Sequence, residues 1–539
     1  MRLKNPTASF PLNAQGIDAF SEWLDETLPT AGLERKNSLR VRLLAEELLL
    51  RMEEHLQTQT TITATVDLRP GRGVLRLELP GAAFNPLNET DQMLGEWNSS
   101  LLTAVGLQSK FNYKKGKNIL RLPLPQQRMN PVLKMLLLLL IGVLVGLLGL
   151  WLLPQELRET YCAATLEPAF GIWIRILNAA SGPIIFFMAL TTTLNTSAIT
   201  RQGGSSAYTI ARYLLITFLL VAVALVIAHP MLSVSTTAGT GPLMSWVETL
   251  TALIPGNIVM PFSDSNTPQL LLLAIPLAAA MIAAADHTKH LQHTVREINV
   301  VGSLIAKSLS VTIPYVAGLF LCLEVWSGRV RVLLGFWKPL ALAFGISALL
   351  VAIIILWFSL RNRIGPAKTA KKLVAPFLLT LRGAPLDETM DATAKNCTAR
   401  FGVDSGFAAI SVPQGTVLYM PISAIGTLIF TMYLLNIYEI NLSLSWQIVT
   451  VLLVGILFVA TPPVPGANLL AFSALFAWIG IPQEAILDAM LFDILFGFFA
   501  SAANLTLLQM ETAAQAGRLG LLNTDVLRQT QEKNKADKN

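Results

Sequence analysis

The stretch TPPVPGA at residues 461–467 interrupts an otherwise apolar run, and the interpretation of the whole chain starts there. Three prolines and a glycine in seven residues cannot continue an α-helix, because proline lacks the backbone N–H and its ring clashes with the preceding turn. Shorter breaks of this kind lie upstream, at VPQG (412–415) and at Met420-Pro421. At membrane depth such freed backbone is tolerated only where it is buried in protein or lines a watery cavity. The pattern predicts discontinuous helices around a binding site, whereas simple kinks in packed helices are the alternative.

The composition places these breaks in a membrane protein. Of 539 residues, 53% are hydrophobic and only 14% are charged, whereas soluble domains carry about 25% charged residues. These values argue against a water-soluble enzyme, and the net charge of +6 fits contact with a membrane surface better than nucleic-acid binding. The three cysteines have no metal-binding spacing and are interpreted as small apolar fillers: Cys162, Cys322 and Cys397.

Apolar runs long enough to cross a bilayer begin after Asn130. The first, Met135–Leu153, has nineteen residues without a charge, close to the ~20 that the hydrocarbon core requires. We expect six ordinary spans before Arg361, the other five being built on Ile184–Leu194, Tyr213–Ala228, Leu270–Ala285, Ile313–Leu323 and Pro339–Leu360.

Basic residues in the connecting loops set the expected orientation. They fall on one side of the spans at Arg201, Arg212, Lys289, Arg296 and the segment from Arg361 to Lys372. That side is predicted to be cytoplasmic and to hold both termini, since the first ten residues lack the apolar segment of a signal peptide. The expected organisation is a cytoplasmic α+β domain at 1–130, a plasma-membrane body at 131–512 and a polar tail at 513–539.

Several motifs in the membrane body, in order along the chain, resemble one known family. They are 168–177 with 182–187, 212–215, IPGN (254–257), GVDSG (402–406) running into VPQG, and VPGA (464–467). They are similar to the second, third, fourth and seventh helices and to the second hairpin tip of the glutamate transporter or dicarboxylate/amino acid:cation symporter family. The resemblance covers about 131–512. It implies eight helices plus two re-entrant hairpins, a homotrimer, and an elevator movement of a transport domain past a scaffold.

The chemistry departs from the family pattern. Where the eighth helix of the family places two aspartates and an arginine for substrate and sodium, this chain has Gly497, Ala500 and Leu508. The sodium-binding signature of the seventh helix is replaced by YMPIS (419–423), and the serine-rich tip of the first hairpin by PLDET (385–389). A dicarboxylate would find no bidentate arginine, so the expected solute is neutral or weakly charged.

The residues that remain at the family's site positions, and the nearby acidic groups, define the candidate site. The solute-binding candidates are Met420, Ser423, Val464, Gly466, Ser501, Asn504 and Asp387, and the ion-binding candidates are Tyr213, Thr217, Asp493 and Asn504. Hard cations prefer oxygen ligands; sodium or a proton is the possible coupling ion, and no other cofactor or metal is expected.

Three of these candidates have a second interpretation. Asp493 either serves function or pairs with a neighbour inside the bundle, and Asn504 either binds solute or ion or joins two helices by a hydrogen bond. Asp387 and Glu388 either bind a proton, cation or amine or form the wet tip of a hairpin. Lys307 is expected to extend its ammonium group to the interface.

The first 128 residues alternate helix and strand signals, including a hairpin of Thr61–Arg69 with Val74–Leu79 and a helix near 92–105. LAEE (44–47) and NILRL (118–122) are similar to the ATP-binding fold of anti-sigma-factor kinases. The magnesium-binding asparagine and adenine-binding aspartate of that family are replaced by Arg51 and by Leu79-Pro80. The resemblance implies a degenerate nucleotide-binding domain used for regulation or contact with a cytoplasmic partner.

These observations predict a secondary active transporter, a symporter of a small organic solute such as an amino acid or carboxylate. The alternative is a transporter-derived sensor or scaffold that binds a solute and signals through its cytoplasmic domain. An enzyme is not expected, because no nucleophile, base and orienting group occur together in the sequence pattern.

Overall fold

The computed structural model describes most of the chain, and it divides into two compact units, Met1–Met129 and Asn130–Asn539. The described residues are 6–30, 35–56, 60–69, 72–84, 110–114, 116–124, 130–200, 205–232, 251, 254–263, 266–328, 335–440, 444–460 and 468–528.

The N-terminal unit contains an antiparallel sheet of five strands in the order β1-β2-β3-β5-β4. Its elements are β1 (Thr7–Pro11), α1 (Ala14–Thr30), α2 (Arg35–Leu56), β2 (Thr61–Arg69), β3 (Arg72–Pro80), β4 (Lys110–Lys114) and β5 (Lys117–Leu124). Every second residue of β2 and β3 is apolar and buried, which is the pattern of a strand with one covered face. The two helices supply the rest of this core through residues such as Phe20 and Leu48.

The predicted hairpin of the N-terminal unit is confirmed, with β2 and β3 paired in register. The expected helix near 92–105 lies outside the described residues. Arg51 donates to Glu47 at 3.1 Å. The buried Asn118 donates to the Ala82 carbonyl at 2.8 Å and accepts from the Phe84 N–H at 3.1 Å, which fixes the segment after β3. The nucleotide-binding character of this unit stays a prediction.

The described part of the membrane unit is mainly helical. Its helices are α3 (Pro131–Leu152), α4 (Gln155–Tyr161), α5 (Glu167–Thr200), α6 (Ser205–Leu232), α7 (Met260–Ser263), α8 (Thr267–Ala283), α9 (Lys289–Trp326), α10 (Trp337–Asn362), α11 (Pro366–Leu381), α12 (Leu386–Phe401), α13 (Ser405–Leu418), α14 (Pro421–Ile437), α15 (Leu444–Ala460), α16 (Asn468–Ile479), α17 (Ile486–Arg518) and α18 (Thr524–Arg528).

Seven helical segments of the described chain are long and apolar enough to cross a membrane. In this described part, five of them precede Arg363, where the sequence predicted six spans. The sixth expected run, Leu270–Ala285, forms the 17-residue helix α8, which Asn266 caps at its start. That length is below the ~20 residues of a complete span.

Helices α3 and α9 pack closely through small residues. A side chain at Gly142 would stand 2.1 Å from the Gly318 carbonyl oxygen, so only glycine permits this approach. Trp326 donates its indole N–H to the Gly146 carbonyl at 2.9 Å. Small residues let helix backbones approach in this way in membranes.

The C-terminal segment is attached to the junction between α12 and α13. Val403 and Leu522 form an antiparallel bridge, and the Asn523 N–H donates to the Gly402 carbonyl at 2.7 Å. The Lys372 ammonium group donates to backbone carbonyls at the ends of α12 and α18, including that of Arg400 at 2.7 Å. A cation is favourable where helices end.

Candidate functional site

A break between α13 and α14 interrupts a largely buried helical segment of the membrane unit. Tyr419 and Met420 leave the helix, with φ of −123° and −122°, and α14 begins at Pro421. Proline suits the first helical position, where its missing N–H needs no partner, and it disfavours helical backbone in the residue before it. The break predicted at Met420-Pro421 is confirmed.

The break predicted at VPQG (412–415) is wrong, because α13 runs through Pro413. A proline inside a helix removes one hydrogen bond, but packing holds this segment helical. Val412 is fully buried, and the Thr416 hydroxyl donates to the Val412 carbonyl at 2.8 Å.

Asn504 of α17 closes the break. Its side-chain oxygen accepts from the Ile422 N–H at 2.8 Å, and its amide donates to the Ser423 hydroxyl at 2.9 Å. The first N–H groups of a helix have no partner within the helix, so a neighbouring helix caps α14 here. Asn504 and Ser423 are both buried, which makes this contact a fixed polar joint between α14 and α17.

A second polar contact ties α17 to the start of α16. The Asn468 amide donates to the Asp493 carboxylate at 2.7 Å. Gly497 lies one turn further on, and a side chain there would start 3.1 Å from the same carboxylate oxygen. Among the described residues no cation lies within ion-pair distance of Asp493, so this carboxylate is held by a neutral amide.

An accessible stripe runs along α17 from this carboxylate. Asp493, Gly497 and Ser501 follow one another at intervals of four residues, and all three are partly or fully exposed. Residues four apart lie on one face of a helix. The stripe therefore offers a carboxylate and a hydroxyl with a bare turn between them.

The family ligand positions on this helix are apolar in the structure. Ala500 and Leu508 are fully buried. A side chain at Gly415 would come within 2.1 Å of a Leu508 methyl group, so Leu508 fills the space beside α13. Dispersion contacts replace ion ligands there.

A group of hydroxyls lies at the deeper end of the site. Tyr213 and Thr217 of α6 and Thr512 of α17 are buried, and their oxygens make no hydrogen bond of good geometry with any described residue. The Thr512 hydroxyl lies beside the Tyr213 phenol. The ring of Tyr419 packs against that of Tyr213 at 5.1 Å between centroids.

An ion pair lies next to these hydroxyls. Arg212 of α6 binds both oxygens of Glu511 of α17, with Nη2 to Oε2 at 3.1 Å. Gln515 adds a third donor to Glu511 at 2.9 Å. The two charged side chains are only 13% and 6% exposed. The sequence counted Arg212 among the basic residues of the connecting loops, whereas it lies within α6 and is paired; the cytoplasmic orientation stays a prediction.

Sequence reasoning missed Glu511, Gln515 and Asn468 as members of this region. Glu511 carried a usable signal, since an ionisable residue within an apolar helix indicates a functional or paired site. Asn468 carried none, because its role depends on a contact with α17 across a sequence distance of 25 residues.

Three of the predicted site residues fall outside what the structure describes. Val464 and Gly466 lie outside the described residues, as does the side chain of Asp387. Glu388 is exposed in the first turn of α12. The three cysteines are buried and form no disulfide among the described residues, and no described group of side chains could hold a metal ion.

The apolar spans and the capped break indicate a multi-pass membrane protein with a buried polar joint between α14 and α17. The sequence profile of the sodium:dicarboxylate symporter family matches residues 132–514, well over half of the chain. The chain therefore belongs to the sodium:dicarboxylate symporter family, which is a family of transporters and not of enzymes. No curated protein matches the chain in a sequence comparison.

Proposed function

We propose that the protein moves a small organic solute, such as a neutral amino acid or a weakly charged carboxylate, across the plasma membrane by an elevator mechanism. In this proposal α15 and α16 are the arms of a re-entrant hairpin that closes over the solute. Met420, Ser423, Asn504, Ser501 and Asp493 line or support its site, with Val464 and Gly466 at the hairpin tip and Asp387 on the first hairpin. The driving ion is sodium or a proton.

The observation that carries the proposal is the joint of Asn504 with Ile422 and Ser423. An ordinary packed helix needs no partner for its backbone at membrane depth, whereas a broken helix must find one. The break here is capped by a side chain of α17, the helix that also bears the accessible stripe. Discontinuous helices of this kind typically mark a transporter's binding site.

The side chains available favour a solute without two acidic groups. The buried Ala500 provides no guanidinium group to bind a second carboxylate. The Asp493 carboxylate, held by Asn468, repels anions and attracts an ammonium group. A zwitterionic amino acid fits this balance better than a dicarboxylate.

The proposal is tested with the full-length protein in detergent and then in liposomes. Thermal stability is measured against matched solutes, namely L-alanine with L-lactate and L-aspartate with succinate. A ligand present at 100 times its Kd stabilises by about 2.7 kcal/mol. We expect stabilisation by L-alanine and uptake of the same solute into proteoliposomes, and Asn504→Ala should abolish uptake. Binding or uptake of succinate with no response to L-alanine would overturn the proposed substrate class.

A second candidate function is a solute sensor that signals through the N-terminal unit. The observation that favours it is that residues 1–129 form a compact unit with its own hydrophobic core. Binding without net flux in the liposome assay would favour the sensor over the transporter. We also propose a homotrimer with both termini in the cytoplasm, which cross-linking and terminal-tag accessibility can test.

A further inference from the structure

The family name implies sodium, and the deep hydroxyl group is where its fit can be tested. Tyr213, Thr217 and Thr512 supply three buried oxygens, and those of Tyr213 and Thr512 lie beside each other. Hard cations prefer such oxygen ligands, but they also prefer carboxylates. Leu508 and Pro421, which occupy the neighbouring positions on α17 and α14, supply none.

The acidic group nearest to these hydroxyls is already neutralised. Among the described residues, Glu511 is the acid whose charge interacts electrostatically with the Tyr213 and Tyr419 phenols. Its two oxygens accept from the Arg212 guanidinium group, and Gln515 donates to one of them as well. A planar guanidinium group matches a carboxylate with two parallel hydrogen bonds and is always charged.

A sodium ion would therefore enter a group whose charges already cancel. It would stand near the positive Arg212 in a region of low dielectric, where like charges repel strongly. It would also lose its hydration without gaining an unpaired carboxylate. The described donor set does not fit sodium at this place.

We propose that the Arg212 guanidinium group is a resident cation at the deep end of the site, which takes the place of a sodium ion there. Arg212 neutralises Glu511 and holds α6 to α17 permanently, so this site adds no sodium to the coupling. The inference rests on the proposed solute transport for its meaning. Its geometry, however, can be tested with no solute present.

The experiment compares melting temperatures of the full-length protein in sodium chloride and in choline chloride. In Arg212→Gln the Glu511 carboxylate loses its cation and lies near the buried Tyr213 and Thr512 hydroxyls, so the site becomes receptive to sodium. We expect the melting temperature of Arg212→Gln to be about 3 °C or more higher in sodium chloride than in choline chloride, beyond any such difference in the wild type. Arg212→Lys, which keeps a cation, and Arg212→Gln/Glu511→Gln, which removes both charges, should respond only as the wild type does.

An ion pair that served packing alone would give a different result. Arg212→Gln would then be destabilised equally in both salts, and an equal or smaller sodium response than in the wild type overturns the proposal. If Arg212→Gln does not fold, the wild type and Thr217→Val decide, because the proposal predicts the same sodium response in both. A response reduced by Thr217→Val would place sodium at the hydroxyls and overturn it.

These results are independent of the proposed function. They are measured on the protein without solute. If they contradict the proposal about Arg212, uptake of L-alanine still supports the proposed transport. Absence of all uptake in the liposome assay would contradict the transport proposal. The sodium responses of the melting temperature would still test whether Arg212 takes the place of a sodium ion.

Discussion

The two halves of α17 treat polar groups in opposite ways. In the N-terminal half, Asp493 meets one neutral amide and faces an accessible stripe. In the C-terminal half, Glu511 is enclosed and has three donors. The difference teaches that a polar residue inside a membrane unit indicates a ligand site only where its partners leave capacity unused. Asp493 keeps that capacity, whereas both oxygens of Glu511 are occupied by donors from the protein.

The largest expected effect comes from removing Glu511, the paired acid in the C-terminal half of α17. Glu511→Ala leaves the Arg212 charge buried and uncompensated, and we expect a loss of about 3–5 kcal/mol in the free energy of unfolding. Replacing both residues, as in Arg212→Met/Glu511→Leu, should cost much less. Denaturant unfolding of the purified protein, followed by circular dichroism, measures both. Equal losses would show that the pair is not a compensated charge.

The joint at Asn504 should be next in size. Asn504→Ala leaves the Ile422 N–H without its partner, which costs about 1–3 kcal/mol. Thr506→Ala on the same helix is the control, since the Thr506 hydroxyl bonds only its own helix, at the Ala502 carbonyl, at 2.9 Å. The same unfolding assay compares them. If the control costs as much as the joint, the cap does not support the break.

Crowding between α13 and α17 gives a prediction of similar or smaller size. Gly415→Ala places a methyl group 2.1 Å from Leu508 and 3.0 Å from the Tyr213 hydroxyl, and overpacking of this kind costs about 1–3 kcal/mol. In the double variant Gly415→Ala/Leu508→Ala the losses should be less than additive, because the two side chains share one space. Additive losses in thermal unfolding would contradict the contact.

The smallest effect on stability is expected at Asp493, in the N-terminal half of α17. Asp493→Asn keeps an oxygen that can accept from Asn468, so the free energy of unfolding should change by only about 0.5 kcal/mol. Binding of an amine-bearing solute should nevertheless be lost, since the charge that attracts the ammonium group is gone. Thermal shift with L-alanine reports the loss. Unchanged binding would remove Asp493 from the site.

Much of the fold followed from local sequence features. Long apolar runs require spanning helices, and proline before a helical run requires a break, so five of the six spans expected before Arg361 and the Met420-Pro421 break were predicted correctly. Pro413 has the same local chemistry, yet α13 continues through it because its neighbours bury the segment. Tertiary packing decides between a kink and a break, and one sequence does not reveal it.

The candidate site was predicted in part, for a related reason. Asn504 and Asp493 were identifiable because they are polar residues in an apolar helix. Arg212 and Glu511 have the same property, but their pairing joins residues 299 positions apart. A charge near the end of an apolar run looks like a loop residue until its partner is known. The sequence alone used Arg212 only to set the orientation of the spans, whereas the contact with Glu511 places it next to the candidate site.

The most direct test is uptake by proteoliposomes that contain the full chain, with sodium or choline outside. L-Alanine, L-aspartate and succinate are compared with protein-free liposomes. The accessible stripe of Asp493, Gly497 and Ser501 on α17 predicts that L-alanine enters, whether sodium or a proton is the driving ion. Entry of succinate or L-aspartate that depends strictly on sodium, with none of L-alanine, would contradict the account.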